Sequence, residues 1–156
     1  MRRSRAFIDM TKEPPDGPST AAEGVCAFLA SLGIRKTSAI HLIGKGALAP
    51  LLWLCRHGFD EVVMLNGGPV PSEPADLLVS LETSGAAAFE RLETDLPHVR
   101  PGGIVIVRTN HRRRADRSRT NSLLGRHGFR IERRLRNGRR DVYVARREAT
   151  LALAAR

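Results

Sequence analysis

Two stretches decide the fold: DLLVSLETSGAAAFERLETDLPHVRPGGIVIV, residues 76–107, and LLGRHGFRIERRLRNGRRDVYVARR, residues 123–147. In the first, Asp76 to Leu81 is apolar enough for a buried strand, and Ala86 to Leu96 sets Phe89, Leu92 and Leu96 on one face of a helix. Pro101, Gly102 and Gly103 then predict a turn, and Ile104 to Val107 a β-branched strand suited to the centre of a sheet. In the second, a short helix around Ser118 to His127 is stopped by Gly128, and Phe129 to Leu135 and Arg140 to Ala145 flank Asn137-Gly138, the strongest short-range hairpin signal in the chain. Strand, helix, strand, helix and hairpin together imply a mostly parallel sheet covered on both faces, closed by an antiparallel pair.

Towards the N terminus the alternation continues. Ala39 to Ile43 reads as a buried strand, Gly44 to Gly46 as a tight turn, and Leu48 to His57 as a helix closed by Gly58. Pro50 is tolerated in its first turn, where an N–H has no intrahelical partner. Glu61 to Leu65 gives a further short strand ending at Asn66-Gly67-Gly68, and the following PVPSEP cannot be a regular element. Ahead of all these, Ser19 or Thr20 can cap a helix bearing Val25, Cys26, Phe28, Leu29 and Leu32, with Gly33 placed to end it. The expected organisation is a polar, proline-containing arm over residues 1–18, one α/β domain over 19–147, and a tail over 148–156.

With 156 residues, 42% of them hydrophobic, the chain has the length and the apolar content of one domain. No apolar run reaches the roughly 18 residues of a membrane span, and the basic start is not followed by an apolar signal core, which predicts a soluble, cytoplasmic protein. Cys26 and Cys55 lie in apolar helical patterns without metal-ligand spacing and are expected to be reduced core residues. The net charge of +10 is unevenly placed: residues 100–147 hold sixteen arginines, no lysine and three acids, while the remainder holds ten bases and thirteen acids. An arginine-rich last third attracts polyanions, although base composition of the genome would also enrich arginine.

The order of elements in residues 76–107 and 123–147, with the Pro-Gly-Gly turn and the Gly-Phe-led hairpin, resembles the class I S-adenosylmethionine-dependent methyltransferases. The resemblance covers roughly residues 19–147. It implies a single Rossmann-like three-layer domain, and a transferase activity if the chain is an enzyme. It also implies that the ligand crevice lies at the C-terminal ends of the strands, with a glycine turn after the first of them holding the cofactor. Gly44, Lys45 and Gly46 match that turn, and Asn66 and Gly67 end the second strand, where the family places an acid on the ribose hydroxyls. The chain departs from the pattern at Leu42, in place of the first acid, at Leu48, in place of the third glycine, and at Asn66, which lacks a charge. Only about ten residues follow the second strand where the family places a helix and a whole strand, so one edge strand of the sheet is expected to be missing, and with it the adenine-facing acid unless Glu73 or Asp76 substitutes. Independently of the family, Ile43 to Ala49 also satisfies the G-x-G-x-x-A dinucleotide fingerprint, without the acid that should end the next strand.

Glu82, with Thr83 and Ser84, stands past a strand end where a carboxylate could accept a proton or orient a nucleophile, and is the one catalytic candidate; a solvated loop or a cap of the next helix is the simpler explanation. The histidines do not cluster: His41 lies within a strand, His57 and His127 precede helix-ending glycines, and only His111 falls near the crevice, so no metal is expected. Arg108, Arg112, Arg113, Arg114, Arg117 and Arg119 form a run that the topology places over the crevice, where guanidinium groups could take phosphates in bidentate contacts, though a solvated charge run is the plain alternative. The run holds no aromatic residue, so any nucleic-acid binding would be electrostatic.

Three functions fit. One is a methyltransferase-like domain with weakened or lost cofactor binding that serves as a binding or scaffold module. Another is an active S-adenosylmethionine-dependent methyltransferase on an anionic or nucleic-acid substrate. The last is a basic nucleic-acid-binding protein. The sheet edge left by the missing strand makes a homodimer conceivable.

Overall fold

The computed structural model describes residues 20–149 apart from 66, 68, 84, 111–113 and 138. The arm over residues 1–18 and the tail beyond 149 lie outside the described residues, as do Asn66, His111, Arg112 and Arg113. In chain order the elements are α1 (Thr20–Ser31), β1 (Ile40–Ile43), α2 (Leu48–Arg56), β2 (Val62–Leu65), β3 (Ala75–Thr83), α3 (Ala86–Asp95) with a 3₁₀ turn at Leu96–His98, β4 (Val99–Asn110), α4 (Arg114–Arg126), β5 (Phe129–Asn137) and β6 (Arg140–Arg147). The six strands form one sheet in the order β2-β1-β3-β4-β6-β5. The first four are parallel, and β6 inserts antiparallel between β4 and β5.

The near-continuous apolar runs of the central strands are explained by burial on both faces. On one side Leu42, Leu77, Val79, Ile104 and Ile106 pack under α1 and α2 through Phe28, Leu29, Trp53 and Leu54. On the other, Ile43, Leu78, Val105, Val107 and Tyr143 pack under α3 and α4 through Phe89, Leu92, Leu123 and Leu124. Each such side chain taken fully out of water contributes about 1.5–3 kcal/mol before the entropy of ordering it is subtracted.

Several expectations are corrected. Pro101-Gly102-Gly103 is not a separate turn: β4 already starts at Val99, and pairing passes from Ala75–Val99 to Leu77–Ile104, so residues 100–103 bulge out of a continuous strand. Asp76 is committed at the foot of β3, accepting the Ala39 N–H at 2.8 Å and pairing with Arg100 at 2.8 Å. It is therefore at the wrong end of the sheet to replace an adenine-facing acid, and exposed Glu73 precedes it. Helix α4 starts at Arg114 rather than near Ser118, because Asp116 and Thr120 in its polar first half are buried and the apolar period misses them. The hairpin closes on the pair Asn137–Arg140, one residue later than the Asn-Gly signal implies. Cys55 is exposed, not core, while Cys26 is partly buried against the α1–α2 side.

The expected missing edge strand is confirmed: β2 ends the sheet, and nine residues carry the chain from Leu65 to Ala75. This crossover runs over the α3 side, where Gly67 and Val70 join Leu65, Arg91, Thr94 and Asp95 around a cavity of about 290 Å³. Arg91 donates to the Leu65 carbonyl there. Burial raises the Asp95 carboxyl above its ordinary range, against the opposing pull of Arg91 and His98.

His41 lies within β1 and is 3% exposed. Burial first, and His98 second, hold its imidazole below the ordinary value of 6.5. As pH falls the unfolded chain takes up this proton first, so the stability that depends on neutral His41 is complete above pH 6.5 and is lost below it. Between about pH 7 and about pH 5 the unfolding free energy should fall more steeply in the native chain than in His41→Leu, as measured by urea denaturation. Parallel slopes would remove His41 as the sensing group.

Candidate functional site

The C-terminal ends of β1, β3 and β4 meet the start of β6 at one rim of the sheet. After β1 the chain turns through Gly44 at φ 102° and Gly46 at φ 80°, a left-handed backbone that only glycine adopts without strain. A Cβ placed on Gly46 would meet nothing within 4 Å, so the turn faces open space. Lys45 between the glycines is exposed, and α2 follows with no side-chain cap on Ala47, leaving its first N–H groups available to a polar ligand. Leu42, which the resemblance sets at the first acidic position, is 1% exposed in the α1–α2 core, where it is taken up by packing.

A second feature lies across the rim. Leu81, Thr83, Arg108, Thr109, Asn110, Arg139 and Arg140 line a cavity of about 360 Å³. Arg108 is 8% exposed, and its Nε donates to the Leu81 carbonyl at 2.6 Å, which fixes the guanidinium against the cavity wall. Thr83 is buried and its hydroxyl is bonded to that of Ser80 at 2.6 Å. Arg139 and Arg140 are exposed and arrive from the hairpin, because antiparallel pairing sets Arg140 opposite Asn110. Among the described residues its lining has three guanidinium groups and no carboxylate.

The described members of the arginine run expected over the crevice, Arg108, Arg114, Arg117 and Arg119, do not converge. Of these only Arg108 lines the cavity. Arg114 is exposed at the first position of α4, and Arg119 turns onto the Phe89 ring at 4.7 Å, where the cation packs α4 against α3. Arg117 is half-buried, with its Nε buried and without a hydrogen-bond partner. It contributes to the field around Tyr143, whose phenol is raised chiefly by burial. Beside Tyr143, fully buried Asp141 takes Arg134 at 2.9 Å and Arg136 at 3.7 Å. That cluster pins the hairpin to the sheet. Glu82, expected past a strand end, is instead the penultimate residue of β3, and its side chain is outside the described part. Gly67, two residues past the C-terminal end of β2, lines the cavity under α3. Sequence reading missed Arg139 and Arg140; their one signal was adjacency to the Asn-Gly turn, which says that they sit at a hairpin tip but not which strand end the tip reaches.

No group of three or more His, Cys, Asp or Glu side chains able to hold a metal ion occurs among the described residues. No described helix is long and apolar enough to cross a membrane.

Strand order, antiparallel last insertion and glycine turn together define the architecture as the class I S-adenosylmethionine-dependent methyltransferase fold. Among solved structures, the chain is similar to magnesium protoporphyrin IX methyltransferase from Synechocystis PCC 6803 with bound cofactor, with a TM-score of 0.59 and 14% identity over 93% of this chain and 91% of that one. It is also similar to the Methanococcus jannaschii fibrillarin pre-rRNA processing protein, with a TM-score of 0.56 and 12% identity over 74% of this chain and 68% of that one. An O-methyltransferase family protein from Burkholderia thailandensis gives 0.51 and 16% over 96% of this chain and 57% of that one. No protein-family model and no curated protein matches the sequence.

Proposed function

We propose that the chain is a methyltransferase-fold binding module that takes an anionic partner in its rim cavity and binds S-adenosylmethionine weakly. The observation that carries this reading is the cavity itself: Arg108, Arg139 and Arg140 converge on about 360 Å³, with no acid among its described lining residues. Guanidinium groups that share a concave, partly desolvated site favour phosphate or carboxylate oxygens, which accept their parallel N–H bonds. The glycine turn fits the amino-acid end of the cofactor, since Gly46 leaves room beside the first N–H groups of α2. The ribose end fits less well, because Leu42 is packed in the core and Asn66 offers only an uncharged amide.

Charge-assisted hydrogen bonds are worth about 1.5–3 kcal/mol each, so the loss of two carboxylates should weaken cofactor affinity by about two to four orders of magnitude. Calorimetric titration of the whole chain with S-adenosylmethionine and S-adenosylhomocysteine should therefore give dissociation constants in roughly the millimolar range. A micromolar isotherm abolished by Gly46→Val would overturn the weak-binding part and favour a second reading, an active methyltransferase acting on an anionic substrate. That second reading is supported by the open left-handed turn at Gly44 and Gly46.

A further inference from the structure

The two edges of the sheet are built differently. At one end β5 carries Arg130, Arg133, Arg134 and Arg136, and Glu132 is an extra residue between the pairs Ile131–Ala145 and Arg133–Val144. Edge charges and a bulge of this kind are what keep an open strand from pairing with another chain. At the other end β2 is Val62-Val63-Met64-Leu65, in regular register with β1, with no charge, proline or bulge. The four large hydrophobic side chains exposed among the described residues all lie on this flank: Leu48 and Leu52 on α2, which packs against β2, Val63 in β2 and Val70 in the crossover after it.

Backbone direction fixes how β2 can be used. The Ile40 N–H donates to the Glu61 carbonyl at 2.8 Å, so by alternation Glu61, Val63 and Leu65 turn their backbone groups to β1. Val62 and Met64 turn theirs outward, where no further strand of the sheet lies among the described residues. We propose that this edge pairs antiparallel with β2 of a second copy about a two-fold axis at Val63, giving one twelve-stranded sheet across the dimer. In that register Val62 and Met64 exchange N–H and C=O bonds with Met64 and Val62 of the other copy, and the two Val63 side chains meet directly. A close β-branched pair is favourable there, and no like charges are opposed. Charge agrees with the antiparallel sense: exposed Asp60 and Glu61 before β2 come beside the opposite end of the other copy's strand, next to which exposed Lys45 stands. The four residues of β2 alone bury too little for a stable dimer, and the apolar side chains on its flanks supply the remaining contact.

The test is sedimentation equilibrium or light scattering of the full chain over a concentration series. The expected result is a mass rising from 17.2 kDa towards twice that value. Val63→Asp puts like charges across the axis, and Met64→Pro removes an outward N–H while leaving the β1 bonds intact; each should weaken association by at least about tenfold with the circular dichroism unchanged. A chain that stays at monomer mass up to several hundred micromolar, about the ceiling for a specific contact, overturns the proposal. So does a dimer that both variants leave unaltered, because it must use another surface.

Discussion

Replacing Gly103 by alanine is expected to cost the fold about 2–3 kcal/mol, the upper range for overpacking a site that cannot relax. A Cβ on Gly103 would stand 2.7 Å from the Arg100 carbonyl oxygen, 2.8 Å from Val99 Cγ1 and 3.2 Å from the Asp76 carbonyl oxygen. Two of these neighbours are backbone atoms of the β3–β4 pair and cannot move without disturbing its register. Because the bulge sets where β4 resumes pairing with β3, the strain is transmitted to Ile104, which also pairs with Arg146 of β6. Chemical denaturation of Gly103→Ala should show a lower midpoint with an unchanged slope; a change below about 0.5 kcal/mol would mean that the bulge is soft. Gly102→Ala is a useful companion: nothing lies within 4 Å of its would-be Cβ, and only the φ of 79° opposes the change, so it should cost less.

The second large effect concerns binding. Arg139→Ala combined with Arg140→Ala should lower the affinity for a fluorescein-labelled single-stranded oligonucleotide by about ten- to a hundredfold at low salt, since each exposed guanidinium neutralises roughly one phosphate. The dependence of log K on log salt should flatten by about 0.7 for each phosphate that is no longer neutralised. Both residues are exposed and on the cavity rim, so the fold should be retained. Arg114→Ala with Arg119→Ala is the control: Arg119 packs on Phe89, and neither residue lines the cavity. If the control pair weakens binding as much as the hairpin pair, charge alone is responsible and the cavity is not the site. If inorganic pyrophosphate binds the native chain but not the hairpin double variant, and the oligonucleotide does not bind, the anionic partner is small.

The fold was legible because the two buried faces impose their period on the chain. Ile104 to Val107 alternate between the α1–α2 core and the α3–α4 core, so every position is apolar and the strand announces itself. The short crossover was legible for a plainer reason: nine residues between Leu65 and Ala75 cannot hold a helix and a strand. Boundaries failed where polar residues are buried through tertiary partners. Asp116 and Thr120 in α4, and the Asp76 pair with Arg100, carry no apolar period to read.

By itself the sequence determined the alternating elements, the antiparallel closing hairpin, the truncated sheet edge and the uncharged residues Leu42 and Asn66 near the strand ends, because each depends on local residue type and on chain length. Only the tertiary structure decided which arginines lie together. A run of guanidinium groups along a helix radiates in several directions, so Arg114, Arg117 and Arg119 go to solvent, to the neighbourhood of Tyr143 and to Phe89. Arg108 stands far along the chain from Arg139 and Arg140, and the three are joined because β6 returns antiparallel beside β4. That convergence follows from strand order, and strand order is a property of how the layers pack.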